Sequence, residues 1–168
     1  MYQTETGCSW MLRAPFSTVC TTGMTTIQIP TSSPRENACA KTFDPDFMLY
    51  HTMAVDEWGH MKGADSAEYA NAVAAVGHLI AARMPEWLEK GYQVVVTADH
   101  GMNNLGIHVG TEHAQREVAL YIFSDKVENG RFEEKYISQL NVAPLVCKLM
   151  GVPATEGMKQ ELEIVFSK

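Results

Sequence analysis

Two short apolar runs, each followed by an acidic residue, dominate the hydrophobic pattern of this chain. Residues 94–96 are three valines, the pattern of a strand buried on both faces, and Asp99 and His100 come soon after them. Residues 46–55 form a second apolar run of strand length, which ends at Asp56. The pattern therefore predicts two strands that each deliver polar side chains at their carboxyl ends.

A long amphipathic helix is predicted between these two strands. Residues 67–90 are rich in alanine, and their larger apolar residues recur at helical spacing along one face. Asp65 or Ser66 can cap the start of this helix. Pro85 should kink or divide it, and Gly91 is typical of a helix end. A strand–helix–strand unit of this kind makes the two strands parallel, so their carboxyl ends meet at one edge of the sheet.

Three further elements are predicted after the second strand. Residues 118–123 have the pattern of a third strand, and residues 142–150 predict a helix that ends at Gly151. Residues 162–166 have the pattern of an edge strand. The predicted fold class is therefore α/β, with a mostly parallel sheet and flanking helices.

The first 43 residues lack the strand-then-helix rhythm of the rest. Threonine and serine recur throughout, Pro30 and Pro34 interrupt regular elements, and only residues 24–29 have the pattern of a short strand. The segment contains no aspartate, since the first in the chain is Asp44. We therefore predict an irregular leader at 1–43 and an α/β part at 44–168.

Composition excludes several classes of partner for this chain. Its 168 residues carry a formal net charge of −7, which argues against a nucleic-acid backbone or an anionic membrane surface as partner. No apolar run approaches the roughly 20 residues that span a bilayer, and no signal-peptide pattern opens the chain. The four cysteines show no Cys-x-x-Cys spacing, which predicts reduced thiols in a cytoplasmic protein.

Each of the two predicted strands is followed by an aspartate and a histidine. Asp56 and His60 are four residues apart, so one helical turn places both side chains on the same face. Asp99 and His100 are adjacent. Carboxylate oxygen and imidazole nitrogen are both ligands of divalent metals such as zinc. Either pair alone is also typical of a solvated strand end, whereas two such pairs on consecutive strands favour a metal site.

Six short motifs occur in a fixed order between residues 44 and 153. They are Asp56-x-x-Gly59-His60-x-x-Gly63, Thr97-Ala98-Asp99-His100-Gly101-Met102, His108-x-Gly110-Thr111, Arg116-Glu117-Val118-Ala119-Leu120-Tyr121, Asn141-Val142-Ala143-Pro144 and Leu149-Met150-Gly151-Val152-Pro153. Their order and spacing resemble the alkaline phosphatase superfamily, especially its type I phosphodiesterases and nucleotide pyrophosphatases, with phosphonoacetate hydrolase as a relative. The sequence departs from the family pattern at Val109, where a second glycine is usual, and at Ala119, where proline is frequent. The resemblance implies an alkaline-phosphatase-like α/β fold.

The resemblance also implies a binuclear metal site. It assigns Asp56, His60 and His108 to one ion, and Asp99 and His100 to a second. Two cations about 3.5–4 Å apart can clamp the attacking and leaving oxygens of a phosphoryl displacement. Three histidines and two carboxylates suit Zn²⁺ best, with Mn²⁺ or iron as alternatives.

Two parts of the implied site are less well defined by the sequence. His113 is an alternative to His108 as third ligand, but His108 occupies the family's His-x-Gly-Thr position. The resemblance further implies an aspartate from a first strand and a Thr or Ser nucleophile at a helix start, both upstream. Residues 1–43 offer no aspartate and no hydroxyl in such a setting, so the nucleophile is not identified. The chain is therefore expected to match the C-terminal half of the catalytic domain, without its first strands.

The predicted function is metal-dependent hydrolysis of a phosphoester or pyrophosphate bond, of the phosphodiesterase/nucleotide pyrophosphatase type and weak in this chain alone. The implied substrate is a small phosphate ester, nucleotide or phosphonate. Two alternatives stay open: a phosphonate hydrolase of the same superfamily, and a non-catalytic remnant that binds a metal or an anion. Neither the particular substrate nor the oligomeric state follows from the sequence.

Overall fold

The computed structural model of this chain describes residues 10–14, 17–21, 45–130, 136–158 and 161–167. Two compact units make up the chain: Met1–Ala82 with His100–Glu117, and Arg83–Asp99 with Val118–Lys168. The elements in chain order are β1 (Trp10–Ala14), β2 (Ser17–Thr21), α1 (Ala54–Lys62), α2 (Ala67–Glu89), β3 (Val94–Val96), α3 (His113–Arg116), β4 (Tyr121–Phe123), a 3₁₀ turn (Gln139–Asn141) and α4 (Val142–Met150).

β1 and β2 form an antiparallel hairpin within the segment that was predicted to be irregular. Their register runs from Trp10 opposite Thr21 to Ala14 opposite Ser17. β-Branched residues such as those of β2 favour extended structure, a signal that the density of hydroxyl residues in this segment obscured. The short strand predicted at 24–29 lies outside the described residues.

α1 begins inside a run for which a strand was predicted. Residues 47–53 have no regular structure and the helix starts at Ala54, so the predicted strand at 46–55 is wrong. No described strand pairs with this run, whereas Asp56 and Glu57 in the first turn complement the positive end of the helix dipole. Asp56 therefore lies within a helix rather than after a strand.

α2 confirms the predicted long helix. Ser66 caps it, because its Oγ accepts the backbone N–H of Tyr69 at 3.1 Å. Pro85 lies inside the helix without dividing it. Ala72 on this helix is buried and belongs to the core of the first unit.

The second unit contains β3, β4 and α4. β3 pairs with β4 in antiparallel register, Val95 opposite Ile122, so the mostly parallel sheet is not confirmed among the described residues. β3 is half-buried rather than fully buried. Leu145 and Leu149 of α4 supply the core of this unit, and α4 ends at Gly151 as predicted.

The buried side chain of Asn141 hydrogen-bonds to the C-terminal segment of the second unit. Asn141 is completely buried; its Nδ2 donates to Glu163 Oε1 at 3.2 Å, and its Oδ1 accepts the N–H of Glu163 at 3.0 Å. The predicted edge strand at 162–166 is reduced to a single bridge, Val127 to Phe166. Within the described ranges, no helix is both long and apolar enough to cross a membrane.

Candidate metal centre

α1 presents an aspartate and a histidine on the same face. His60 Nε2 lies 3.5 Å from Asp56 Oδ2, as the four-residue spacing predicted. The other ring nitrogen, Nδ1, lies 2.8 Å from the carbonyl oxygen of Gly106. Because a carbonyl can only accept, Nδ1 carries the proton and Nε2 keeps its lone pair for a ligand. A backbone contact of this kind orients histidines that bind metals.

A second histidine reaches this face from the loop after β3. The ring of His108 packs edge-on against His60, with centroids 5.0 Å apart. One ligand atom each from Asp56, His60 and His108 lies within 4.8 Å of the other two. The structure therefore brings together the three side chains that the resemblance assigned to one ion.

The carboxylate of Asp56 has one oxygen that suits a cation. Its Oδ1 is buried and, among the described residues, accepts no hydrogen bond. A buried carboxylate oxygen without a donor is costly in free energy, and a cation in the cluster would supply the missing partner. The residues present therefore fit a divalent metal: one carboxylate and two imidazoles are a common donor set of catalytic zinc.

His100 lies at the edge of the same cluster. Its Nε2 is 3.7 Å from Asp56 Oδ1, and its ring stacks on His108 with centroids 3.9 Å apart. Its Nδ1 is 2.9 Å from the carbonyl oxygen of Gly101. His100 was predicted to bind a second ion, and its side chain lies beside Asp56 and His108.

Asp99 and His113 are the two remaining candidate ligands. Asp99 is exposed and belongs to the second unit, where its carbonyl oxygen accepts from Gln139 Nε2 at 3.1 Å. Its role as a ligand of a second ion stays a prediction. The side chain of His113 is 88% exposed and pairs with Glu117, the residue after α3. In the part of the chain that the structure describes, His113 is not among the residues whose ligand atoms lie within 4.8 Å of one another. Of the two alternatives for the third ligand, the structure places His108 beside Asp56 and His60.

Tyr69 is a neighbour of the cluster that the sequence analysis missed. It packs beside Gly59 of α1. Burial first, and the negative charge of Asp56 second, raise the pKa of the Tyr69 hydroxyl above its usual value of 10.0. A single tyrosine on a predicted helix gives no sequence signal for such a position.

Two buried polar residues, one in the loop before His108 and one on α3, were also missed. Asn103 Oδ1 accepts the N–H groups of Leu105 at 3.0 Å and Ile107 at 2.9 Å, which shapes the turn before His108. Gln115 on α3 is 6% exposed. Nothing in the spacing of either residue marks it as internal. The nucleophile remains unassigned, since residues 22–44 lie outside the described ranges.

Comparison with known proteins gives one family. The family model of type I phosphodiesterase / nucleotide pyrophosphatase matches residues 12–143, which extends upstream of the range predicted from motifs. No solved structure gives a significant match.

Several curated relatives are similar over two thirds of the chain. The human GPI ethanolamine phosphate transferase 3, catalytic subunit, is 29% identical over 115 residues, which is 67% of this chain and 10% of that protein. The GPI ethanolamine phosphate transferase 2 of Schizosaccharomyces pombe is 24% identical over 132 residues, 67% of this chain and 17% of its own. The 2,3-bisphosphoglycerate-independent phosphoglycerate mutase of Wolinella succinogenes is 31% identical over 121 residues, 70% of this chain and 23% of its own. The chain thus spans less than a quarter of each of these relatives.

Proposed function

The chain belongs to the type I phosphodiesterase / nucleotide pyrophosphatase family of the alkaline phosphatase superfamily, and we propose that it forms the metal-binding part of a phosphoester-processing active site. The observation that supports this proposal is the convergence of Asp56, His60 and His108 within 4.8 Å. These side chains come from α1 and from the loop after β3, so the fold, rather than sequence proximity, brings them together.

Asp56, His60 and His108 would hold one divalent ion. Two imidazole nitrogens and a carboxylate favour Zn²⁺, with Mn²⁺ or iron as alternatives. When bound, such an ion supplies positive charge that polarises a phosphoryl oxygen. The residues themselves prepare the site: Gly106 fixes the tautomer of His60, and Asp56 contributes negative charge that attracts a cation.

Asp99 and His100 are proposed as ligands toward a second ion. The support for His100 is its position 3.7 Å from Asp56 Oδ1, whereas Asp99 is carried over from the motif alone. Two protein ligands are few for tight zinc binding, which usually takes three or four. We therefore expect the first site to have the higher affinity.

The proposed reaction is displacement at phosphorus: the bond from phosphorus to a leaving oxygen breaks, and a bond to an incoming oxygen forms. In hydrolysis the incoming oxygen belongs to water. Several relatives are named as phosphate transferases, so transfer to an acceptor hydroxyl is a second candidate. The two reactions need the same metal ligands and differ in the acceptor.

Metal content tests the proposed site directly. The wild-type chain and the variants His60→Ala, His108→Ala and His113→Ala are dialysed against zinc, washed and analysed by mass spectrometry of the metal. We expect wild type and His113→Ala to retain zinc and the other two variants to lose it. Equal zinc in all four proteins would contradict the proposal, and loss of zinc in His60→Ala and His113→Ala but not in His108→Ala would replace His108 by His113.

A further inference from the structure

One buried side chain closes the loop that carries His108. Gln115 Nε2 donates to the carbonyl oxygens of Ile107 and Val109, at 3.2 Å in each case. These two residues lie immediately before and after His108. Gln115 Oε1 accepts the backbone N–H of Glu112 at 3.2 Å. The carboxamide thus uses both its donor and its acceptor ends within one loop.

The main chain of Gln115 reaches the segment of the second histidine. Its carbonyl oxygen accepts the N–H of Gly101 at 2.9 Å, and Gly101 directly follows His100. One residue is therefore bonded to peptide groups next to both His100 and His108, whose rings stack on each other.

Gly110 provides the space that the Gln115 carboxamide occupies. Its φ is +150°, and a Cβ at this position would lie 2.2 Å from Gln115 Oε1. The carboxamide of Gln115 therefore fits in its place only because residue 110, the glycine of the His-x-Gly-Thr motif, has no side chain.

The three candidate histidines are oriented in two different ways. His60 and His100 each bond directly, through Nδ1, to a backbone carbonyl oxygen. His108 is held through the peptide groups on either side of it, by the amide of Gln115, and through packing of its ring. Holding both flanking carbonyls restricts the backbone at His108, so less conformational entropy is lost when its ring is used as a ligand.

We propose that Gln115 is a positioning residue that orients His108 toward Asp56 and His60, and thereby sets the metal affinity of the cluster. The affinity part rests on the proposed function. The orientation part concerns the metal-free chain and can be measured without any metal.

Two variants of Gln115 test this role. Gln115→Glu keeps the length of the side chain but replaces its N–H donors by an acceptor, which faces the carbonyls of Ile107 and Val109. Gln115→Met keeps a similar size and removes every polar bond. Ala72→Gly is the control, because it weakens the buried core of the same unit at a position on α2.

Two measurements separate positioning from general stability. In the metal-free chain, amide exchange over residues 103–112 and the ring signals of His108 in a ¹H–¹⁵N correlation spectrum report the loop. Zinc affinity by competition with a chelator reports the cluster. We expect both Gln115 variants to show faster loop exchange, shifted His108 signals and about 10- to 100-fold weaker zinc binding. Ala72→Gly should lower the melting temperature and leave the His108 signals and the zinc affinity unchanged.

Several outcomes would overturn the proposal. Wild-type exchange and His108 signals in both Gln115 variants would remove the orientation role, as would an equal loss of zinc affinity in Ala72→Gly. An unfolded chain in both variants would make Gln115 a general core residue instead. If the wild-type chain binds neither Zn²⁺ nor Mn²⁺ nor iron, the proposed function is wrong, and the exchange and ring signals alone decide whether Gln115 orients His108.

Discussion

The ring Nδ1 of His60 lies 2.8 Å from the carbonyl oxygen of Gly106, a residue 46 positions further along the chain. This contact joins α1 to the loop that carries His108. The backbone of Gly106 has a φ of +73°, and a Cβ there would lie 2.8 Å from the carbonyl oxygens of Gly59 and His60. The loop can therefore approach α1 this closely only because residue 106 has no side chain.

Replacing Gly106 by alanine should separate the loop from α1. We expect Gly106→Ala to lower the free energy of unfolding by about 1–3 kcal/mol, since it adds backbone strain and a steric clash. Gly77→Ala is the matched control: Gly77 is exposed on α2 with nothing within 4 Å of its added Cβ. That change should raise stability by about 0.5–1 kcal/mol. Urea unfolding measures both, and equal stabilities of the two variants would contradict the close approach.

Zinc should stabilise the folded chain through the Asp56 cluster. A ligand that binds only the folded state at 100 times its dissociation constant adds about 2.7 kcal/mol of stability. We expect zinc to raise the melting temperature of wild type and of His113→Ala, and a chelator to reverse the rise. His108→Ala should melt at the same temperature with and without zinc. A zinc-dependent rise of wild-type size in His108→Ala would contradict the assigned ligand set.

The proximity of Asp56, His60 and His108 could be predicted from the sequence because the first two are close in the chain and all three belong to specific motifs. Asp56 and His60 are four residues apart, so they share a helix face whichever element precedes them. The predicted strand at 46–55 was wrong, yet the pair still converged. The order of the motifs then identified His108, which lies in a loop far from Asp56 and His60 in the sequence.

The contacts that hold the loop, and the direction of strand pairing, could not be predicted in the same way. Gln115 and Asn103 act through their amide groups on backbone atoms, and a polar residue in a polar loop looks the same whether it faces inward or outward. The antiparallel pairing of β3 with β4 likewise depends on which strands meet, and an apolar run carries little information on strand direction. Tertiary contacts decide both the orientation of these amide side chains and the direction of strand pairing. The hydrophobic periodicity of the sequence contains no information on tertiary contacts.

Tyr69 should make the stability of the metal-free chain fall at high pH. Burial and the charge of Asp56 raise the pKa of its hydroxyl in the folded state. The folded chain therefore holds this proton more tightly than the unfolded chain. The contribution of this proton to the free energy of unfolding is fully present below the pKa of the unfolded chain, about 10. It is lost as the pH rises through the pKa of Tyr69 in the folded chain.

The Tyr69→Phe variant isolates that contribution. We expect wild type to lose stability above pH 10 more steeply than Tyr69→Phe in urea unfolding curves, because phenylalanine has no proton to release. Tyr136→Phe is the control, since Tyr136 is 74% exposed. Parallel pH profiles for wild type and Tyr69→Phe would show that the hydroxyl of Tyr69 ionises as it does in the unfolded chain.

Asn141 should be the most sensitive polar position of the second unit. Its side chain is 0% exposed and bonds in both directions with Glu163. Asn141→Ala leaves the backbone N–H of Glu163 without this acceptor, and we expect a loss of about 1–3 kcal/mol in the free energy of unfolding. Asn104→Ala, at an exposed position, should change stability by less than about 0.5 kcal/mol. Equal effects of the two changes would mean that the C-terminal segment is not fastened through Asn141.

Turnover by the chain alone should be slow, even if the first site is loaded. The proposed second site has two assigned protein ligands, Asp99 and His100, and no nucleophile is assigned among the described residues. We therefore expect feeble hydrolysis of bis-p-nitrophenyl phosphate by this chain. A fusion that adds an aspartate-bearing strand and a Thr or Ser helix start from a family member should raise the rate, and Asp99→Ala in the fusion should abolish the gain.

The products of that fusion would distinguish the candidate reactions. Phosphorus NMR with and without an added alcohol acceptor separates release of a free phosphate monoester, expected for hydrolysis, from a new phosphodiester, expected for transfer. A phosphonate substrate tests the third chemistry in the same assay. Fast, metal-dependent turnover by the 168-residue chain alone would contradict the expected need for upstream groups. A fusion that retains zinc yet acts on no phosphoester or phosphonate would instead support a metal- or anion-binding role, because the cluster would then be loaded without chemistry at phosphorus.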